Sequence, residues 1–151
     1  GHHETTSSCL EAIGRYAKKD MFVIDVGCGS GLLGIGAYKL GAMVDICDTD
    51  QVAIDDSIKN FKINASQYNK AWVGSIVQSN KQYDIVVANI VADILIFIAK
   101  DLKNGLKNNS ILILSGILEQ YLDKVTPYFS ELKLKEVIKK NEWRTLVYIK
   151  E

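Results

Sequence analysis

The chain has 151 residues, 48% of them hydrophobic and 24% charged, a balance that excludes disordered and fibrous architectures. Eighteen basic residues offset eighteen acidic ones, so there is no basic footprint of the kind that nucleic-acid binding leaves. The longest apolar run, residues 85–99, is broken by Asn89 and Asp93 and is too short to span a membrane, and the polar first ten residues make no signal peptide.

Taken in chain order, apolar runs of strand length alternate with helical patterns. Residues 5–18 are predicted helical, with Thr5, Thr6, Ser7 and Ser8 as capping hydroxyls and Leu10, Ile13 and Ala17 at helical spacing. Residues 21–26 form a continuous apolar run, as a strand covered on both faces requires. A glycine loop follows over 27–31, then a helix over 32–40 that Gly41 is placed to end in a left-handed cap. A second strand is expected over 42–47, a helix over 51–64, and a weak third strand over 71–73. Residues 83–88 are a strong fourth strand, with a helix over roughly 91–103. A fifth strand over 110–115 and a helix over 118–129 precede two strands, 133–139 and 144–150, joined by a short polar turn. Such a turn makes a hairpin, hence an antiparallel pair. The fold class predicted is α/β: a doubly wound, Rossmann-like sheet, mostly parallel, with a C-terminal antiparallel hairpin, in one domain over 1–151.

Cys9, Cys28 and Cys47 show no Cys-x-x-Cys or Cys/His spacing, which predicts reduced thiols of a cytoplasmic protein and no metal site. His2 and His3, side by side at the start, read equally as native residues or as the remnant of a purification tag.

The informative stretch runs from Asp25 to Asp50. Asp25-Val26-Gly27-Cys28-Gly29-Ser30-Gly31 lies where the first strand turns into a helix, and glycines there let the backbone approach a ligand that a Cβ would keep away. About twenty residues on, at the end of the second strand, Asp48 or Asp50 can accept both hydroxyls of an adenosine ribose lying across the strand ends. The plainer alternative is a tight turn and a helix cap. Gly29-Ser30-Gly31-Leu32-Leu33-Gly34 also satisfies the dinucleotide fingerprint. Against NAD stand the acidic Asp25, whose charge a pyrophosphate would meet, and the absence of length for a separate substrate domain. S-adenosylmethionine has no phosphate, and its sulfonium and ammonium suit Asp25 and the loop carbonyls.

The spacing D-x-G-x-G-x-G resembles the first motif of Rossmann-like methyltransferases. A narrower resemblance, to the ribosomal protein L11 methyltransferases, rests on blocks that run the length of the chain. These are Gly1-His-His-Glu-Thr-Thr6 with Cys9-Leu-Glu11, the loop through Leu33, Lys39-Leu-Gly-Ala42, Val87-Ala-Asn-Ile90, Leu114-Ser-Gly-Ile-Leu118 and Glu142-Trp143. It favours His2 and His3 as native residues, covers only the family's catalytic domain, and implies that the N-terminal substrate-recognition domain is absent. The chain departs from the pattern at Gln51, where the family usually has proline, and in a short segment before the fourth strand.

Carried over by position, the resemblance implies that Thr6, Gly27, Asp48 and Asn89 contact S-adenosylmethionine. Asp25 and Gly29 join them on the physical grounds above. Thr6 and Asn89 each have a competing role as helix caps. Asn89 is followed by Ile90-Val91 rather than by the Pro-Pro-aromatic clamp of enzymes that methylate planar nitrogens, which favours an aliphatic amine as acceptor, with Asn89 as its positioning residue. The implied acceptors are lysine ε-amines and the N-terminal α-amine of ribosomal protein L11, with no direct contact to nucleic acid, membrane or metal. The alternative from a different class is a nucleotide-binding module without catalysis. Trp72 and Trp143 read as packing, Lys133, Lys135, Lys139 and Lys140 as a solvated hairpin face, and Cys28 lacks the histidine that would make it a nucleophile.

Overall fold

Parallel strands cannot be joined by tight turns, so each needs a crossover segment long enough to return the chain across the sheet. The computed structural model describes residues 2–151; Gly1, which opens the first motif block, lies outside the described residues. The order is α1 (His2–Tyr16), β1 (Phe22–Val26), α2 (Leu32–Lys39), β2 (Met43–Asp48), α3 (Gln51–Ile63), β3 (Lys70–Val73) and β4 (Tyr83–Asn89). There follow α4 (Ala92–Phe97), α5 (Ala99–Asn104), β5 (Leu106–Leu118), α6 (Leu122–Val125), β6 (Lys133–Lys140) and β7 (Trp143–Ile149). The strands form one sheet in the order β3-β2-β1-β4-β5-β7-β6. The first five are parallel, and β7 runs antiparallel between β5 and β6. This is the mostly parallel, doubly wound sheet with an antiparallel hairpin that the element pattern predicts.

Because side chains alternate along a strand, each central strand feeds two cores. Val23, Ile85, Val87 and Ile113 join Ile13, Ile35 and Phe61 on one face, while Ile24, Val86, Leu112 and Leu114 join Leu95, Leu102 and Phe129 on the other. Burial on both sides explains the unbroken apolar runs.

Four elements differ from the sequence expectation. Helix α1 starts at His2, so Thr5, Thr6 and Ser8 are buried side chains within it rather than caps, and Thr5 Oγ1 donates to the His2 carbonyl one turn back at 3.2 Å. These side chains are small, and the Thr5 hydroxyl is partnered within the helix, so a polar-looking stretch packs against the sheet. The helix expected over 91–103 is broken at Ile98 (φ −102°, ψ 9°) into α4 and α5. The helix expected over 118–129 shrinks to the single turn α6 between two 3-10 turns, since Pro127 has no N–H to continue an α-helical ladder. Strand β5 begins earlier than expected, pairing Leu106 with Tyr83 behind the polar Lys107-Asn108-Asn109.

One buried carboxylate of the sheet, that of Asp45, is well partnered. Asp45, 0% exposed in β2, accepts from Tyr83 Oη (2.7 Å), Asn69 Nδ2 (2.9 Å) and the Lys70 amide (3.0 Å), with Lys81 Nζ at 3.2 Å. Removing one donor to a buried carboxylate costs about 1.5–3 kcal/mol. Tyr83→Phe is therefore expected to lower unfolding free energy by about that amount in urea titrations, and an unchanged midpoint would mean that the phenol is dispensable to this network.

Candidate functional site

Doubly wound sheets bind ligands beyond the carboxyl ends of their strands, where the crossovers diverge. At that edge β1 ends and the chain turns through Gly27 (φ 72°), Gly29 (φ 53°) and Gly31 (φ 85°) into α2. The amides of Gly27 and Cys28 both donate to the Cys47 carbonyl, at 2.9 and 3.1 Å, tying the loop to the end of β2. Close approach explains two of the glycines. A Cβ on Gly27 would lie 2.7 Å from Ile90 Cγ2, and one on Gly31 would press on Ser57 at 3.0 Å. A Cβ on Gly29 would meet no protein atom within 4 Å.

The loop walls a cavity of about 170 Å³, completed by Thr6 of α1, Asp25 of β1 and Asn89 at the end of β4. Five of the six predicted site residues, Thr6, Asp25, Gly27, Gly29 and Asn89, thus border one space, joined by His2, Cys28 and Leu33. Asp48 stands outside that wall but is tied to it: its Oδ2 accepts from the Gly29 amide at 3.1 Å and its Oδ1 from the Asp50 amide at 2.9 Å. Asp50, the other ribose candidate, is the N-cap of α3, accepting from the Val52 amide at 3.0 Å. For Asp50, capping is the role the structure gives.

Asp25 dominates the electrostatics. It is 1% exposed, and neither carboxylate oxygen has a hydrogen-bond partner among the described residues. Desolvation, with the nearby charge of Asp48, pushes its pKa up to about 7; the Gly34 amide draws it down without reaching hydrogen-bond geometry. A buried carboxyl left without donors is a standing cost unless a cation fills the place of the missing partner. Burial likewise pushes the Cys28 thiol up to about 12, which keeps it protonated and unreactive.

Asn89 is held by its neighbours. Its Nδ2 faces Thr5 Oγ1 at 3.4 Å, and Gly116 (φ 82°) lies so close behind that a Cβ there would sit 3.2 Å from Asn89 Oδ1 and 2.7 Å from the Ile90 carbonyl. Gly116 also lines an adjoining cavity of about 190 Å³ with Val91, Tyr121 and Trp143. The Trp143 indole N–H is buried without a hydrogen-bond partner among the described residues. Sequence reasoning gave no role to Thr5, Gly116 or the cavity beside Trp143, although Thr5 and Gly116 fall in the motif blocks and a glycine inside a strand was a further signal. Trp72 does pack, with its indole N–H donating to the Ser75 carbonyl at 2.9 Å. On the hairpin, Lys133, Lys135 and Lys139 are exposed, Lys135 lying over the Tyr16 ring, whereas Lys140 donates to Ser7 Oγ at 2.6 Å. A larger cavity, about 330 Å³ between residues 76–82 and Asp101–Gly105, lies at the opposite, amino end of β4. Among the described residues no three His, Cys, Asp or Glu side chains gather to hold a metal, and no helix is long and apolar enough to cross a membrane.

Comparison with known proteins gives a consistent set of matches. The family profile described as ribosomal protein L11 methyltransferase (PrmA) matches residues 1–151. The ribosomal protein L11 methyltransferase of Nitratiruptor sp. is 52% identical over 147 residues, covering 97% of this chain and 52% of the relative. That of Campylobacter lari is 52% identical over 151 residues, covering 100% of this chain and 54% of the relative. The chain thus spans about half the length of the curated relatives it matches. Among solved structures, a ribosomal protein L11 methylase from Lactobacillus delbrueckii superposes with a TM-score of 0.94 at 29% identity, covering 100% of this chain and 81% of that one. Magnesium protoporphyrin IX methyltransferase from Synechocystis, solved with bound S-adenosylmethionine, shares the fold at a TM-score of 0.78 and 17% identity, covering 99% of this chain and 80% of that one.

Proposed function

The chain belongs to the ribosomal protein L11 methyltransferase family, and on that premise we propose that residues 1–151 are its S-adenosylmethionine-dependent catalytic domain, acting in the cytoplasm on amines of ribosomal protein L11. The acceptors are lysine ε-amines and the N-terminal α-amine. The observation that carries this reading is Asp25, a buried carboxylate without a donor beside a glycine cradle, which suits a cationic ligand and repels a pyrophosphate.

S-adenosylmethionine, when bound, supplies a methyl group already activated on a sulfonium. The residues here bind and orient. Asp25 takes the ammonium end, with the Thr6 hydroxyl beside it, while Gly27 and Gly29 admit the ligand against bare backbone. Asp48 offers its remaining lone pairs to the ribose hydroxyls. Asn89, fixed between Thr5 and Gly116, positions the incoming amine. Displacement on an activated methyl relies on alignment more than on a base, and the amine must arrive neutral.

Two measurements test this reading. The chain is incubated with methyl-labelled S-adenosylmethionine and ribosomal protein L11, and peptides are mapped by mass spectrometry. Label is expected on amines only, with a single-turnover rate that rises between about pH 7 and 9.5 as lysine, of pKa about 10.4, loses its proton. Unlabelled L11, or label on another group, would remove the acceptor assignment.

The second concerns Asp25. Its pKa of about 7 is raised from 3.8, so between those values the folded chain binds more protons than the unfolded one and its stability falls as pH rises. A cation prefers the ionised carboxyl. Cofactor affinity should therefore climb with pH to about 7 and then level, with a proton released on binding at about pH 6. Calorimetry in two buffers of different ionisation enthalpy reads that proton directly; equal observed heats in the two buffers would exclude Asp25 from the site.

A further inference from the structure

The glycine loop is held from two sides, and one of them has no counterpart in the reading above. On the amide side it is tied to β2 through Cys47 and Asp48. On the carbonyl side it is tied to α3. Ser57 Oγ donates to the Gly29 carbonyl at 2.8 Å, and Asn60 Nδ2, one turn further along, donates to the Ser30 carbonyl at 2.8 Å. Ser57 is 0% exposed, with Cys28 Sγ 3.2 Å from its hydroxyl and the missing side chain of Gly31 3.0 Å from its Cβ. It fits one small hydroxyl and nothing larger.

We propose that Ser57, seconded by Asn60, is a positioning residue for the cofactor: α3 locks the loop's peptide planes from behind, so that the cradle has its binding shape before the ligand arrives. This rests on the assignment of the loop as the S-adenosylmethionine cradle. A peptide unit is planar and trans, so fixing the Gly29 carbonyl on Ser57 turns the Ser30 N–H to the opposite side of the loop, away from α3. Ser30 lines the cavity. Gly29, at φ 53° with no side chain to resist rotation, would otherwise let that peptide flip and present a carbonyl where the N–H stands. Neither α3 side chain lines the cavity; both act through the backbone they hold.

The test compares Ser57→Ala, Asn60→Asp and Val125→Ala with the unchanged chain, measuring the Kd for S-adenosylmethionine and S-adenosylhomocysteine by calorimetry and the Tm of each. Asn60→Asp keeps the shape and removes the donor. Val125→Ala loosens the opposite core, remote from the loop, and controls for stability alone. Ser57→Ala is expected to weaken both ligands about tenfold, roughly 1.4 kcal/mol, and Asn60→Asp by about fivefold. Val125→Ala should lower Tm and leave Kd unchanged. Wild-type affinity in both loop variants, or an equal loss in Val125→Ala, overturns the positioning role. If Ser57→Ala fails to fold, Asn60→Asp decides alone. An unchanged chain that binds neither ligand overturns the cradle assignment itself.

Discussion

Gly29→Val is expected to abolish S-adenosylmethionine binding in a chain that still folds. Gly29 borders the cavity, and a Cβ there meets no protein atom within 4 Å, so the added side chain extends into the open space at the cradle rather than into the core. Its φ of 53° adds a second effect, because a β-branched residue resists the left-handed region, with strain of about 1–2 kcal/mol that bends the loop away from its shape. The two act in the same direction on binding, and only the second touches stability. Calorimetry with S-adenosylmethionine should show no measurable heat, while thermal unfolding remains cooperative. Full-strength binding by a folded Gly29→Val chain would mean that the ligand lies elsewhere.

Asp48→Ala is expected to weaken S-adenosylmethionine by about 2–4 kcal/mol, or about 30- to 700-fold. The carboxylate already accepts from the Gly29 and Asp50 amides, and an ionised carboxylate has about four lone-pair sites, so two remain for ribose hydroxyls. Truncation removes both the ribose contacts and one anchor of the loop. Thermal stability should change little at this half-buried strand end. A wild-type Kd in the Asp48→Ala chain would be enough to reject Asp48 as the ribose acceptor.

The parallel core was legible because strands buried on both faces leave continuous apolar runs, as residues 21–26 and 83–88 do. The glycine loop was legible because only glycine takes three left-handed turns in five residues. Helix α1 was harder. Its buried stripe holds Thr5, Thr6 and Ser8, whose polarity mimics a cap although their small size suits close packing. The choice between Asp48 and Asp50 was legible only through the resemblance: Asp48 ends β2, Asp50 lies two residues further on, and locally only the Val52 amide marks Asp50 as the cap. Nor does any local pattern reveal that Asp25 lacks partners, since that depends on what β2 and β4 place on either side of it. The Ser57 contact spans 28 residues and two crossovers, beyond the reach of any periodicity.

The position of β7 between β5 and β6 bears on how the chain is made. Synthesis delivers β5 first, then β6, then β7, yet β6 pairs only with β7. Until residues 143–149 leave the ribosome, the apolar β5, carrying Leu112 and Leu114, presents an open edge of unpaired amides and carbonyls beside the emerging β6. A direct β5–β6 pairing at that stage would have to be undone before β7 could enter. The polar face of β6, with Lys133, Lys135 and Lys139 exposed, disfavours such premature pairing by setting charge at the edge. The interior of the sheet is thus closed from its far end, by a strand that arrives after its outer neighbour and separates two strands that would otherwise meet.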